Sequence, residues 1–171
     1  KSDLPMGRPR EKYWYALKVF YNKVEPLKAE FTRARYETFV PTLQADGKPI
    51  IPSLLFVKCS EKFLVQFKYD NWDKFIFYAS AEDPRKPGPI PDHDMDVFRL
   101  ATSRMVEGAQ FLGSETEKYM VGDKVRVTAG WYKGYEGYIC RIRHDRKLLV
   151  CLQGIAVIAF SAVPMDALEK V

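Results

Sequence analysis

The sequence is short of the side chains on which metal sites and nucleophilic enzymes draw. It holds three cysteines, Cys59, Cys140 and Cys151, and two histidines, His93 and His144. Three thiols cannot all pair within one chain, and no two of them stand at metal-ligand spacing. They read as reduced, mostly buried residues of a reducing compartment. A histidine-rich metal site is excluded, and a Cys–His or Ser–His dyad has few residues to draw on. No acid–base pair or nucleophile stands out, so the expectation is a chain that is not an enzyme, with no cofactor and no metal. Long apolar runs are also missing. The longest, Ile155 to Phe160, is far short of the roughly 20 residues a membrane helix requires. The stretch Lys1 to Lys12 is basic, carries two prolines and lacks the apolar core of a secretory signal. These absences point to a soluble, cytoplasmic, monomeric protein with no membrane partner.

What is present fits a folded protein. Apolar residues make up 47% and charged residues 29% of 171 positions, a globular balance compatible with one large domain or two small ones. The net charge of +5 is mild, but it is uneven. Between Arg126 and Lys147 the cations Arg126, Lys133, Arg141, Arg143, Arg146 and Lys147 face only Glu136 and Asp145. Such a patch attracts phosphate or an acidic partner. On charge alone it fits a solvated strand face equally well.

Along the chain, Tyr13 to Phe20 is aromatic and branched without a breaker, and reads as a strand buried on both faces. Val24, Leu27, Phe31 and Ala34 recur on one helical face. That helix is expected to start after Asn22 as cap, to hold Pro26 in its first turn and to end near Arg35. Tyr36 to Val40 is β-prone. After the turn Asp46-Gly47-Lys48, Ile50 to Cys59 reads as a long strand with a continuously apolar interior, Leu54-Leu55-Phe56-Val57, and Pro52 near its start. Glu61 to Tyr69 fits a short helix through Phe63, Leu64 and Phe67, and Phe75 to Ala79 a further strand. The order strand, helix, strand, strand, helix, strand predicts an α+β domain whose helices pack on one face of a sheet. Asp83 to Pro91, with four prolines, reads as a loop with little regular pairing. A helix follows from Asp92, with Met95, Phe98, Thr102 and Met105 on one face. Its acids Asp92, Asp94 and Asp96 fit the favourable end of the helix dipole better than a metal cluster.

From Glu107 to Lys118 the chain turns polar and reads as a linker. Beyond it, β-prone runs at Lys124–Thr128, Glu136–Arg143, Lys147–Gln153, Ile155–Ser161 and Leu168–Val171 predict a small β-barrel. The domains are therefore expected at 13–106 and 119–171, joined by a linker over 107–118.

Two sets of residues carry a family resemblance. The run Val121-Gly122-Asp123-Lys124-Val125-Arg126-Val127, followed by Gly130-Trp131-Tyr132-Lys133-Gly134-Tyr135-Glu136-Gly137, resembles the KOW motif. Gly130, Gly134 and Gly137 are expected to supply positive φ or close backbone approach. Trp14-Tyr15-Ala16-Leu17, Val40-Pro41-Thr42, Ile51-Pro52-Ser53-Leu54-Leu55-Phe56-Val57 and the Pro-Gly-Pro-Ile-Pro approach to the last helix resemble the NGN domain of NusG proteins. NGN, linker and a C-terminal SH3-like KOW barrel, in that order, resemble a NusG-family transcription elongation factor.

The resemblance implies that the NGN domain binds the clamp helices of the largest RNA polymerase subunit through Leu54 and Phe56, with Ile51 nearby and Tyr15 on the adjacent strand. It implies a KOW domain that recruits a partner, such as a small-subunit ribosomal protein or the Rho termination factor, along Ile155, Val157 and Phe160. Contact with non-template DNA falls to Lys28, Arg33 and Arg35 of the first helix. The chain departs from the family at Ile51-Pro52-Ser53-Leu54, where Phe-Pro-Gly-Tyr or Phe-Pro-Asn-Tyr is usual, and at Tyr21-Asn22-Lys23, where a glycine-rich turn is usual. That drift is similar to the RfaH-like antiterminators of polysaccharide operons, a specialised rather than a housekeeping role. The rival from another class is a KOW-type RNA-binding or ribosome-associated protein, using Arg126, Arg141, Arg143 and Lys147 on phosphate and Tyr132, Tyr135 and Tyr138 for stacking.

Overall fold

The computed structural model describes residues 11–42, 47–103, 110–113, 115–130, 133–142, 145–152, 154–160 and 165–171. Its contacts divide the chain into two bodies, one reaching to Pro41 and resuming over Ile51–Met95, the other made of Thr42–Ile50 and Asp96–Val171. The division falls inside a helix rather than in the polar stretch that begins at Glu107.

The N-terminal body contains β1 (Tyr13–Val19), α1 (Val24–Arg33), β2 (Glu37–Phe39), β3 (Leu54–Cys59), α2 (Glu61–Asp70) and β4 (Phe75–Phe77). Its strands form an antiparallel sheet in the order β2-β3-β1-β4. In the central ladder Ala16 lies opposite Phe56 and Leu17 opposite Leu55. Residues opposite one another share a face and neighbours alternate. One face therefore carries Tyr15, Leu17, Val19, Leu55, Val57 and Cys59, which pack with Leu27, Phe31 and Leu64 of the two helices and with Phe75. The other carries Trp14, Ala16, Leu54 and Phe56, all buried as well. Burial on both faces is why the sequence shows continuous apolar runs instead of alternation.

Local chemistry sets the ends of these elements. α1 starts at Val24 with Lys23, not Asn22, as its cap residue, and without a side-chain cap. Asn22 sits one position earlier in the left-handed region, φ 45°, which asparagine tolerates. The helix ends in a Schellman motif: the Tyr36 N–H reaches the Phe31 carbonyl and the Arg35 N–H the Thr32 carbonyl, each at 2.9 Å, with Arg35 at φ 67°. β3 begins at Leu54 and not at Ile50, because Ile51–Ser53 form a turn closed by the Leu54 N–H on the Ile51 carbonyl, and Pro52 has no N–H for a ladder. Ser60 caps α2, its hydroxyl accepting the Phe63 N–H at 3.1 Å.

The proline-rich stretch is better paired than a free loop. Ala79 bridges Pro87, Trp14 bridges Ile90, and the Ser80 N–H donates to the Lys86 carbonyl at 2.8 Å. α3 (Asp92–Ser103) follows, with Met95, Phe98 and Thr102 buried on one face. Met105 lies outside the described residues.

The C-terminal body holds β5 (Gln110–Gly113), the short helix α4 (Thr116–Tyr119), β6 (Lys124–Val127), β7 (Glu136–Ile142), β8 (Asp145–Leu152), β9 (Ala156–Phe160), a 3₁₀ turn at Met165–Ala167 and β10 (Leu168–Lys170). All five strands expected here form. The sheet has a sixth, β5, drawn from the stretch read as linker, and its order is β10-β6-β7-β8-β9-β5. Among the described residues no ladder joins β10 to β5, so the sheet is extended by β5 rather than shown closed into a barrel. No helix among the described residues is long and apolar enough to cross a membrane.

Candidate interaction surfaces

The central ladder sorts the residues expected to meet polymerase. Leu54 and Phe56 share the sheet face opposite the helices and are 1% and 0% exposed. Phe39 of β2 lies beside Phe56, with ring centroids 6.0 Å apart. At the rim of this face Lys58 of β3 reaches Asp92, the first residue of α3, at 3.8 Å. Ile51 is half-buried in the turn that precedes β3. Tyr15 is not with them: it belongs to the helix-side core, edge-on to Tyr13, and burial pushes its hydroxyl pKa upward.

The cations expected to meet DNA are not gathered into one patch. Lys28 is half-buried and Arg33 exposed, and five residues along a helix turn the direction by about 140°. Arg35 lies beyond the helix, in its left-handed C-terminal turn.

A different surface has the composition for a ligand. Val65, Tyr69, Trp72 and Phe77 line an open groove of about 700 Å³ with Lys68, Asp70 and Arg85 at its edges. Tyr69 is 80% and Trp72 72% exposed, unusual for rings of this size. Their placement follows from α2. Leu64 is buried and Phe63 and Phe67 turn to the core, which leaves Val65 and Tyr69, four residues apart, on the outer face. Asn71 then locks the corner that presents Trp72: its side-chain amide donates to the Phe67 carbonyl at 2.8 Å and accepts from Lys74 Nζ at 2.9 Å. Sequence reading passed over Val65, Tyr69 and Trp72, although apolar residues off the core stripe of a short helix are a readable signal.

The basic patch of the C-terminal body is less available than its composition suggests. Arg126 sits between two carboxylates, Nη2 at 3.0 Å from Glu136 and Nη1 at 2.8 Å from Glu169, on the strands flanking β6. Those contacts raise its pKa further, so it stays charged and engaged. Arg141 and Arg146 face each other across the β7–β8 ladder, and Arg143 and Tyr132 lie outside the described residues. Tyr135 is buried; its hydroxyl accepts the Cys151 N–H at 3.1 Å, so it offers no stacking surface.

The three turn glycines serve two purposes. Gly130 and Gly134 have φ of 87° and 90°. Gly137 answers to close approach: a Cβ there would stand 2.5 Å from Tyr135 Cε2 and 2.7 Å from the Leu149 carbonyl oxygen. Of the residues expected to meet a KOW partner, Ile155 is buried just before β9, and Val157 and Phe160 lie on β9, opposite Cys151 and Leu148 of β8. The cysteines are free thiols. Burial pushes Cys59 up to about 12 and, with Cys140 nearby, Cys151 up to about 11. Neither is a ready nucleophile at neutral pH.

An antiparallel sheet backed on one face by two helices, followed by a body of short antiparallel strands turned by glycines, defines a two-part α+β protein. The model of the NusG family, described as transcription termination factor nusG, matches residues 12–99. The chain belongs to the NusG family, whose members are transcription factors and not enzymes. Among solved structures it is similar to Thermotoga maritima NusG, from work on its domain interaction, at 18% identity and a TM-score of 0.52 over 94% of this chain and 98% of that one. At that identity the likeness concerns the fold. The MjSpt4:Spt5 complex, conformation B, aligns at 12% identity with a TM-score of 0.33, over 92% of this chain and 96% of that one. No curated protein matches the chain.

Proposed function

We propose that the chain binds RNA polymerase and promotes processive elongation, as an antiterminator serving a subset of operons in the manner of the RfaH-like paralogues. Family membership supports the polymerase partner. The observation that carries the reading is the second apolar face of the N-terminal sheet. α1 and α2 cover one face, yet the other also carries buried apolar residues, Trp14, Ala16, Leu54 and Phe56, between Lys18 and Lys58. Such a face suits the apolar flank of a helical pair such as the polymerase clamp helices. Leu54 and Phe56 supply the contact, Ile51 its edge, and Tyr15 supports the strand from behind. These side chains are buried in the structure, so docking requires that they first be uncovered, and the apparent affinity falls with the fraction of chains that are open. A factor that prefers the closed clamp then disfavours the paused state by population shift. The drift at Ile51–Leu54 and Tyr21–Lys23 supports the specialised role. In the C-terminal body the stretch Ile155, Val157 and Phe160 recruits a second protein, a small-subunit ribosomal protein or Rho.

The groove beside α2 supports a nucleic-acid contact better than the scattered cations of α1. Tyr69 and Trp72 offer stacking, worth about 1–3 kcal/mol per base, and Lys68 offers charge for phosphate, whereas Arg85 is held by Asp83 with its Nε at 3.1 Å. The rival reading of a KOW-type RNA-binding protein is weakened by Arg126, whose charge is already met by Glu136 and Glu169.

Polymerase capture by the full-length chain tests this. Phe56→Asp, checked for folding by circular dichroism and thermal melting, is expected to lose capture, with Phe56→Leu as the milder variant that keeps it. Trp72→Ala is expected to retain capture and to weaken binding of single-stranded DNA about tenfold or more. Capture by folded Phe56→Asp equal to the parent overturns the assigned face. Uniform occupancy across transcribed genes overturns the operon-specific role.

A further inference from the structure

Residues 110–113, within the stretch read as a linker, join the C-terminal sheet as β5. β5 runs along β9 with Gln110 opposite Ala159 and Phe111 opposite Ile158, then shifts register so that Gly113 faces Val157. α4 follows, and the buried Thr116 accepts the Gly154 N–H on its hydroxyl at 2.7 Å. Leu112 and Tyr119 pack on the core formed by Leu149 and Ala159. β5 is nevertheless weakly held. It has four residues, its ladder is interrupted between Phe111 and Gly113, and it ends at Gly113 with φ of 105°. Short, irregular edge strands belong to the parts of a sheet that open first. Without β5, β9 would present a row of unpaired backbone groups along the longest apolar run of the chain, a ready acceptor for another strand.

We propose that residues 110–119 form a releasable strap over β9, and that the uncovered β9 edge docks an extended segment of a partner protein in place of β5. β5 itself gives the chemistry of that segment: a few extended residues with an apolar side chain where Leu112 stands. Being tethered, β5 competes at high effective concentration, so the partner gains access only in proportion to strap opening. The proposal rests on the reading of Ile155, Val157 and Phe160 as a partner-binding stretch, and strap release and strand docking are measured separately so that each can fail alone.

Amide hydrogen exchange on the unmodified full chain reads the strap. The amides of β5, and those of β9 that face it, are expected to exchange about a hundredfold or more faster than the amides joining β7 to β8. Equal protection makes β5 an integral strand and overturns the strap. Docking is read in Leu112→Asp, in which β9 protection is expected to fall while β6, β7 and β8 keep theirs. A synthetic peptide of residues Gly108 to Ser114 is then expected to restore β9 protection in trans, and to bind the parent chain at least about tenfold more weakly. Equal binding to both forms, or none to Leu112→Asp, overturns the docking strip. A Leu112→Asp dimer that protects β9 overturns the partner assignment in favour of a second copy. If Leu112→Asp loses its fold altogether, β5 is integral and the proposal falls with it.

Discussion

The two bodies tolerate backbone strain differently. Among the described residues of the N-terminal body, the positive-φ positions are Asn22 and Arg35, neither of them glycine. Among the described residues of the C-terminal body every such position is a glycine, including Gly113, Gly130, Gly134 and Gly154. A left-handed L-residue costs roughly 1–2 kcal/mol. The N-terminal body can absorb that because its core is large and cross-linked by rings: Phe31 lies 4.7 Å from Phe67, Tyr36 4.5 Å from Phe63, and Phe67 5.9 Å from Phe75 between centroids. Each such pair adds about 0.5–1.5 kcal/mol beyond the area it buries. Among the described residues of the C-terminal body, Leu149 and Ala159 form a core cluster, and the Tyr135 hydroxyl and Arg126, between Glu136 and Glu169, tie strands together. Ring packing offsets the strained residues of the first body, and the second places glycine where its described backbone turns left-handed.

The largest expected effect tests the first half of that contrast. Phe31→Ala removes a fully buried ring of α1 that packs on Phe63 and Phe67 of α2, and is expected to cost about 3–5 kcal/mol by urea denaturation. A loss under about 1 kcal/mol would mean that the ring cluster is not what holds this body.

Gly137→Ala probes the second half. The added methyl would stand 2.7 Å from the Leu149 carbonyl oxygen, which is backbone and cannot swing away, and against the Tyr135 ring. A destabilisation of about 1–3 kcal/mol is expected, with loss of protection at the Cys151 amide that Tyr135 holds. A neutral Gly137→Ala with that amide still protected would show that the packing around Tyr135 gives way without cost.

The third effect is absent at neutral pH and appears only in alkali. Burial holds the Cys59 thiol near 12 against an ordinary 9. Above pH 9 the unfolded chain releases this proton while the folded chain keeps it, so the unfolded state binds fewer protons and stability falls as pH rises. The slope is about 1.4 kcal/mol per pH unit for one thiol, levelling off near 12, with no loss below about pH 8. Cys59→Ala is expected to flatten the stability profile between pH 9 and 10.5 by that share. An unchanged slope would place the alkaline sensitivity with other buried groups such as Cys151, whose thiol is raised in the same direction.

Much of this was readable from residue order, because periodicity and turn chemistry are local. The helical stripe Val24, Leu27 and Phe31, the apolar run Leu54 to Val57, the helix from Asp92 and the five C-terminal strands all stand where their spacing places them. The double role of Gly130, Gly134 and Gly137 was open as well, since positive φ and close approach are the two things a glycine does there.

Other features depend on partners far away in the chain. A continuous apolar run does not say which of its residues faces which layer; only the register of β1 on β3 separates Tyr15 from Leu54 and Phe56. Gln110 to Tyr119 is polar by composition and becomes ordered because β9, some forty residues later, offers an unpaired edge and Gly154 an amide for Thr116. Arg126 looks like a phosphate ligand in its local charge run, yet its carboxylates lie 10 and 43 residues away and meet it only across the β7-β6-β10 ladders. Short-range order determines that helices and strands form, since propensity and capping act within a turn or two. Which side chains share a surface, and which charges are already answered, is decided by strand register, and register is a property of the assembled sheet.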